Sequence, residues 1–101
     1  MLAEFSIVPL GKSEHLADYV AEVLKIVDGS GLDYRLHAMG TEVEGSWDEV
    51  MALIRRCHER MAEMSDRVYT QIKIDDFKGQ KGMLTTKVGA VESRVGKKLK
   101  T

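Results

Sequence analysis

Four ionisable side chains occupy alternate positions on the two sides of a predicted central turn, and they are the clearest candidates for a binding or catalytic site. They are Arg35, His37, Glu42 and Glu44, on either side of Met39-Gly40. Since successive side chains of an extended strand point to opposite faces, all four share one face of a β-hairpin. Carboxylates and an imidazole on such a face can hold a hydrogen-bonding ligand, or act as a general acid and base.

These side chains also have ordinary structural explanations, which limit what the sequence predicts. Exposed acids on a strand often serve solvation or protect a sheet edge. A lone histidine on a polar face is more often a surface group than a ligand, and a metal site would need two or three further ligands. His15 and His58 fall on different helices, so we predict no metal site.

Catalytic residues are not predicted either. Cys57 is the only cysteine, so the chain has no internal disulfide, and it falls in the apolar stripe of a helix without a neighbouring base. The sequence contains no G-x-G-x-x-G, G-x-x-x-x-G-K-[ST] or G-x-S-x-G motif. We therefore expect Cys57 to be a small buried hydrophobe, and the protein to be non-catalytic and without a cofactor.

The bulk composition is that of a soluble protein with one domain spanning residues 1–101. Acids and bases are mixed along the chain, except at Lys97, Lys98 and Lys100, and the formal net charge is -1. This balance argues against a nucleic-acid-binding surface. There is no signal-peptide pattern and no apolar run near the roughly 20 residues of a transmembrane helix. We expect a cytoplasmic protein that contacts neither nucleic acid nor membrane.

Hydrophobic periodicity and capping signals predict the order β-α-β-β-α-β-α. The elements are a strand at residues 3–10, a helix at 13–28 with Ser13 as N-cap, a hairpin within 33–45, a helix at 47–64, a strand at 68–75 and a helix at 84–95. Gly40 is expected in the hairpin turn because glycine adopts a positive φ at little cost. Ser46 and Glu49 have the spacing of a capping box at the start of the second helix.

This order is typical of an α+β ferredoxin-like sandwich, β-α-β-β-α-β, with an extra C-terminal helix. Right-handed crossovers place both main helices on one face of an antiparallel sheet. Six apolar strand residues are expected to meet these helices: Phe5, Ile7, Leu36, Val43, Ile72 and Ile74. The other face is expected to be bare and polar, and Met39 and Tyr69 on it favour a partly buried contact surface. We therefore predict that a second subunit covers this face.

Three segments of the sequence, in order, resemble a known family over nearly the whole chain. They are Ser6-Ile7-Val8-Pro9-Leu10-Gly11, Met39-Gly40-Thr41-Glu42-Val43-Glu44-Gly45 and Lys73-Ile74-Asp75-Asp76. On these motifs the chain resembles the small YkoF-like thiamine-binding family, formerly a family of unknown function. The hairpin motif G-T-x-x-E-G is the most specific of the three. In that family an arginine often follows the Ile-Asp pair, where this chain has Phe77.

The resemblance implies a ferredoxin-like subunit that forms dimers and then tetramers by sheet packing. It also implies binding of thiamine or its hydroxymethylpyrimidine moiety without catalysis, on the bare sheet face near the subunit interface. The candidate ligand-binding residues are Ser6, His37, Met39, Thr41, Glu44, Tyr69 and Gln71. A carboxylate can pair with an aminopyrimidine edge, hydroxyl and amide groups can complete the hydrogen bonds, and an aromatic ring can stack on the cationic thiazolium.

The residues leave two other functions open. The main alternative is a small regulatory or interaction subunit with another small-molecule ligand, by analogy with other ferredoxin-like sandwiches. The third function is an enzyme with a shallow interface site that uses Glu44 and His37 as acid and base.

Overall fold

The computed structural model describes residues 1–12 and 14–101. Its elements in chain order are β1 (Leu2–Pro9), α1 (Leu16–Asp28), β2 (Asp33–His37), β3 (Gly40–Glu44), α2 (Trp47–Met64), β4 (Val68–Asp75) and α3 (Met83–Val95). This order confirms the predicted α+β ferredoxin-like sandwich with an extra C-terminal helix. None of the helices in the described ranges is both long and apolar enough to cross a membrane.

The sequence predicted the start of α2 correctly but not the start of α1. The predicted capping box of α2 is present, because Ser46 Oγ accepts from Glu49 N at 3.2 Å and Glu49 Oε1 accepts from Ser46 N at 3.0 Å. Helix α1 begins at Leu16, later than predicted, with His15 at the N-cap position in a left-handed conformation of φ 59°. Ser13, the predicted N-cap, lies outside the described residues.

The sheet is antiparallel in the order β2-β3-β1-β4, and its two inner ladders differ in length. Strand β1 pairs with β4 along all of its residues, from Leu2 opposite Asp75 to Pro9 opposite Val68. It pairs with β3 only as far as Phe5 opposite Thr41. The second half of β1 therefore has a strand on one side only, within the described part of the chain.

The core lies between the sheet and the pair α1 and α2, which pack mainly on β1. It is made of Ala3, Phe5, Ile7, Val23, Val27, Val43, Val50, Leu53, Ile54, Cys57 and Met61. Leu36, Ile72 and Ile74, which were also expected to meet the helices, are not buried in this core, since these side chains are 57%, 40% and 38% exposed. They lie on β2 and β4, the two edge strands of the sheet.

The hairpin turn consists of Ala38 and Met39, and Gly40 is the first residue of β3. The expectation that Gly40 takes a positive φ is wrong, because the positive-φ glycines of the described chain lie elsewhere. Gly40 instead allows β3 and β1 to approach closely. A Cβ at this position would lie 3.3 Å from the carbonyl oxygen of Phe5, which is tighter than most real contacts.

We call the sheet face opposite α1 and α2 the open face. The prediction that this face is bare is wrong. The first turn of α3 packs against it and buries Met83 and Leu84. An ion pair between Lys87 of α3 and Asp75 of β4 holds the same end of the helix. Beyond this turn, the apolar stripe of α3 is left in solvent.

Candidate functional site

A groove of about 570 Å³ lies beside the second half of β1, where β3 has ended. One wall is β1 from Phe5 to Pro9, and another is the hairpin from Leu36 to Thr41. The third wall is an apolar side of α1, formed by Leu16, Ala17, Val20, Val23 and Leu24. Gln71 of β4 closes the floor beside Ser6, its partner in the sheet register. The groove exists because β3 is shorter than β1.

The structure brings five of the seven predicted ligand-binding residues to this groove. They are Ser6, His37, Met39, Thr41 and Gln71. Ser6 and Gln71 belong to the open face, whereas Thr41 lies on the helix-facing side of the sheet and is only 4% exposed. The groove therefore passes around the end of β3 from one sheet face to the other. Met39 is 91% exposed and stands at the rim, where its unbranched side chain can adapt to a ligand.

A second depression, of about 440 Å³, continues from the groove across the open face. It shares Phe5, Ser6, Met39 and Gln71 with the groove and adds Glu4, Ile72 and Lys73. Glu4 Oε1 lies 3.5 Å from Lys73 Nζ in a solvent-exposed ion pair. Because such pairs are weak, the Glu4 carboxylate can exchange its partner for a cationic ligand.

The structure does not bring Glu44 into the groove. Its carboxylate accepts hydrogen bonds from the backbone of α3, from Met83 N at 2.8 Å and from Leu84 N at 3.2 Å. The N-cap of this helix is Gly82, which has no side chain to satisfy these donors. A carboxylate is favourable there because the N-terminus of a helix carries partial positive charge. Glu44 thus acts as a cap supplied by a distant strand.

Tyr69 also lies outside the groove, although it is near. It stands on the open face opposite Val8, two ladder positions beyond Ser6 and Gln71, and it is 51% exposed. Trp47, the only tryptophan of the chain, is 53% exposed at the first position of α2, outside the groove lining. Neither ring closes the site within one chain.

The imidazole of His37 links the groove to the acidic part of the hairpin. Its Nε2 atom lies 3.6 Å from Glu42 Oε2, on the neighbouring strand and the same sheet face. Within residues 1–12 and 14–101, no group of three or more histidine, cysteine, aspartate or glutamate side chains could hold a metal ion. The imidazole of His37 and the carboxylate of Glu42 can offer hydrogen bonds and negative charge to a ligand.

The thiol of Cys57 is remote from the groove. It is fully buried in α2 and lies 3.9 Å from the carbonyl oxygen of Val23. Burial raises its pKa to about 11, which keeps it protonated. This confirms the expectation of a small buried hydrophobe.

Sequence reasoning missed the main chain of β1 and the start of α1 as walls of the groove. Leu16, the first residue of α1, is 43% exposed and faces the groove. One signal was present in the sequence: the first predicted strand was longer than either hairpin strand. A long strand paired with a short one must leave part of its edge open.

Comparison with known proteins decides the family. The model of the family described as thiamine-binding protein matches residues 3–92. The chain belongs to the thiamine-binding protein family. A UPF0045 protein of Mycobacterium bovis is 40% identical over 93 residues, which cover 91% of each chain. The family membership expected from the three motifs is thereby confirmed.

Solved structures show that the fold extends beyond close relatives. A hypothetical protein of Methanocaldococcus jannaschii is 32% identical and aligns with a TM-score of 0.82 over 89% of this chain and 93% of its own. A Thermotoga maritima protein, proposed to act in thiamine biosynthesis or salvage, aligns with a TM-score of 0.73 over 94% of each chain. Its identity is 19%, so this second likeness shows a common fold alone.

Proposed function

We propose that this protein binds thiamine, or its hydroxymethylpyrimidine moiety, in the groove beside β1 and does not transform it. The observation that carries the proposal is that one groove gathers Ser6, His37, Met39, Thr41 and Gln71 in a chain of the thiamine-binding family. Its volume of about 570 Å³ falls within the range of small-molecule sites, roughly 300–1,000 Å³.

The chemistry of the lining suits a flat ring with a polar edge. The α1 wall and Met39 offer apolar contact to the two ring faces, as in most small-molecule sites. The hydroxyl groups of Ser6 and Thr41 and the amide of Gln71 can donate and accept hydrogen bonds at its edge. Polar groups on both sides of the sheet end would fix the orientation of the pyrimidine.

The cationic thiazolium ring would extend into the second depression. There the carboxylate of Glu4 offers negative charge to the cation, whereas Tyr69 lies on the other side of Ser6 and Gln71, away from this depression. This placement supports a bound molecule that spans both cavities, with its neutral ring in the apolar groove and its charged ring nearer to solvent.

Non-catalytic binding is supported by the position of the strongest nucleophile. Cys57, with its pKa raised to about 11, lies in the core and lines neither cavity. The side chains that do line the groove can hold and orient a ligand by hydrogen bonds and apolar contacts.

We further propose that the protein is a homo-oligomer, assembled as a dimer of dimers, in which a second copy covers the open face. Val88, Val91 and Val95 form a stripe on α3 that is 37%, 53% and 55% exposed. Tyr69 adds a half-exposed ring on the same sheet face. Exposed apolar groups at helical spacing beside a polar sheet face suit an interface between subunits.

Calorimetric titration of thiamine and of hydroxymethylpyrimidine into the purified protein tests this function. We expect saturable binding, and a loss of about three- to tenfold in affinity in Gln71→Ala, as for removal of one hydrogen bond. Gln80→Ala, at a glutamine outside both cavities, is the matched control and should bind as wild type does. Absence of binding by either ligand would refute the proposed function.

A further inference from the structure

Successive residues of β1 direct their backbone N–H and C=O groups alternately toward β3 and toward β4. Hydrogen bonds at the two ends of β1 show which residues face which strand. The terminal amine of Met1 donates to Gly45 O at 2.8 Å, and Gly45 N donates to Met1 O at 3.1 Å. On the other side, Leu10 N donates to Arg67 O at 2.8 Å. Since antiparallel ladders alternate residue by residue, the odd-numbered residues of β1 direct their N–H and C=O groups toward β3.

This alternation leaves one residue with its polar backbone groups in the groove. Phe5 is the last odd-numbered residue with a partner, Thr41 of β3. The N–H and C=O of Ile7 point in the same direction, beyond the end of β3, and have no partner in the described ranges of the chain. Pro9, the next odd-numbered residue, has no N–H. The edge therefore presents a single donor, with an acceptor beside it.

We propose that the main chain of Ile7 recognises the aminopyrimidine edge of the ligand, an inference that rests on the proposed function. The N–H of Ile7 donates to the ring nitrogen next to the amino group, and its C=O accepts from that amino group. In an extended residue both groups point to the same side and lie next to each other. They match a ring edge that carries one acceptor and one donor on adjacent positions.

The surroundings of Ile7 support this role. Its side chain is 6% exposed and packs in the core, which holds its backbone in one orientation before a ligand arrives. Such preorganisation lowers the entropic cost of binding. The hairpin turns at Ala38 and Met39 before it reaches a position opposite Ile7, so the hairpin backbone does not pair with Ile7. Ser6 and Gln71 flank the same position from the open face.

Oxythiamine provides the first test, because a ring carbonyl replaces the amino group and the adjacent ring nitrogen becomes protonated. Donor and acceptor are then exchanged, and both backbone groups of Ile7 face the wrong partner. We expect calorimetry to show an affinity for oxythiamine at least about tenfold below that for thiamine, since unpaired polar groups in a binding site discriminate strongly. The discrimination should persist in Ser6→Ala and Gln71→Ala, which leave the backbone unchanged.

Amide hydrogen exchange followed by nuclear magnetic resonance tests whether the Ile7 amide itself contacts the ligand. Saturation with thiamine should slow exchange of the Ile7 amide at least about tenfold, because a hydrogen-bonded amide exchanges only when its bond opens. The Phe5 amide, already paired with Thr41, is the internal control and should change little.

The outcomes separate this inference from the proposed function. Thiamine binding with equal affinity for oxythiamine, or with an unprotected Ile7 amide, would overturn the role of Ile7 and leave thiamine binding intact. Discrimination that disappears in Gln71→Ala would assign the recognition to that side chain and also overturn it. If thiamine does not bind at all, both the proposed function and this inference fail.

Discussion

The carboxylate of Glu44 caps the helix that begins at Met83, with Glu44 Oε2 accepting from Met83 N at 2.8 Å. The two residues are 39 positions apart in sequence. Because Gly82 supplies no capping side chain, strand β3 provides the missing acceptor and fixes α3 on the open face. This contact uses the carboxylate that the sequence assigned to the ligand.

Replacement of Glu44 distinguishes its two assignments. Glu44→Ala should destabilise the attachment of α3 by about 1–2 kcal/mol, the range for lost helix caps, and speed amide exchange in its first turn. Thiamine affinity should stay within about twofold of wild type, since Glu44 lies outside the groove. Glu42→Ala, on the same strand face, is the control for α3 exchange. A large loss of thiamine affinity in Glu44→Ala with α3 intact would support the original ligand assignment instead.

Filling the groove should block the ligand without unfolding the protein. Ala17 is exposed on α1 and lines the groove, so Ala17→Trp should reduce thiamine affinity at least about tenfold, or about 1.4 kcal/mol. Ala21, also exposed on α1 but outside the groove lining, offers the matched control Ala21→Trp. Calorimetry and thermal unfolding would be measured on both variants. Unchanged affinity in Ala17→Trp would place the ligand elsewhere.

A charge in the α3 stripe should weaken self-association. Val91 is 53% exposed, and burying a valine in an interface contributes roughly 1.5–3 kcal/mol. Val91→Asp should therefore shift the protein to smaller species by at least about tenfold in protein concentration, measured by analytical ultracentrifugation. Ala90→Asp introduces the same charge at the next, exposed position and should have a smaller effect. A wild-type protein that is strictly monomeric at micromolar concentration would refute the proposed assembly.

The capping box of α2 should make stability depend on pH in the acidic range. Hydrogen bonds from the backbone and side chain of Ser46 lower the pKa of Glu49 from its ordinary value of 4.5. Because the folded-state pKa is the lower one, the stabilisation is complete above the unfolded value and is lost as pH falls through the folded value. Glu49→Gln keeps an acceptor oxygen but cannot titrate. The wild type should therefore lose stability relative to Glu49→Gln on acidification, and parallel melting curves from pH 6 to pH 3 would contradict this prediction.

The thiol of Cys57 should be protected from reagents in the folded protein. With its pKa raised to about 11 by burial, only about one molecule in a thousand carries a thiolate at pH 8. Alkylation by iodoacetamide at that pH should be negligible for the native protein and rapid in urea, as followed by mass spectrometry. Equal rates in the two states would show that the core around α2 opens readily.

Sequence patterns alone determined the elements whose signals are local. The bounds predicted for α2 and β4, residues 47–64 and 68–75, are those of the structure. A capping box and a strict alternation of side chains depend only on residues a few positions apart, so neighbours in sequence suffice to define them. The family followed from the motifs for a similar reason, since each motif is a continuous segment.

Tertiary structure alone decided the shape of the groove and the role of Glu44. Ser6 and Thr41 lie on opposite faces of the sheet, and they reach one cavity only because the ladder between β1 and β3 stops at Phe5. That end point depends on the register between strands far apart in sequence, which alternation within either strand does not specify. The cap on α3 likewise depends on where a partly exposed helix docks. Short-range patterns determined the helices and strands of this protein. Pairing between distant strands decided which of their side chains lie together in the groove and at the start of α3.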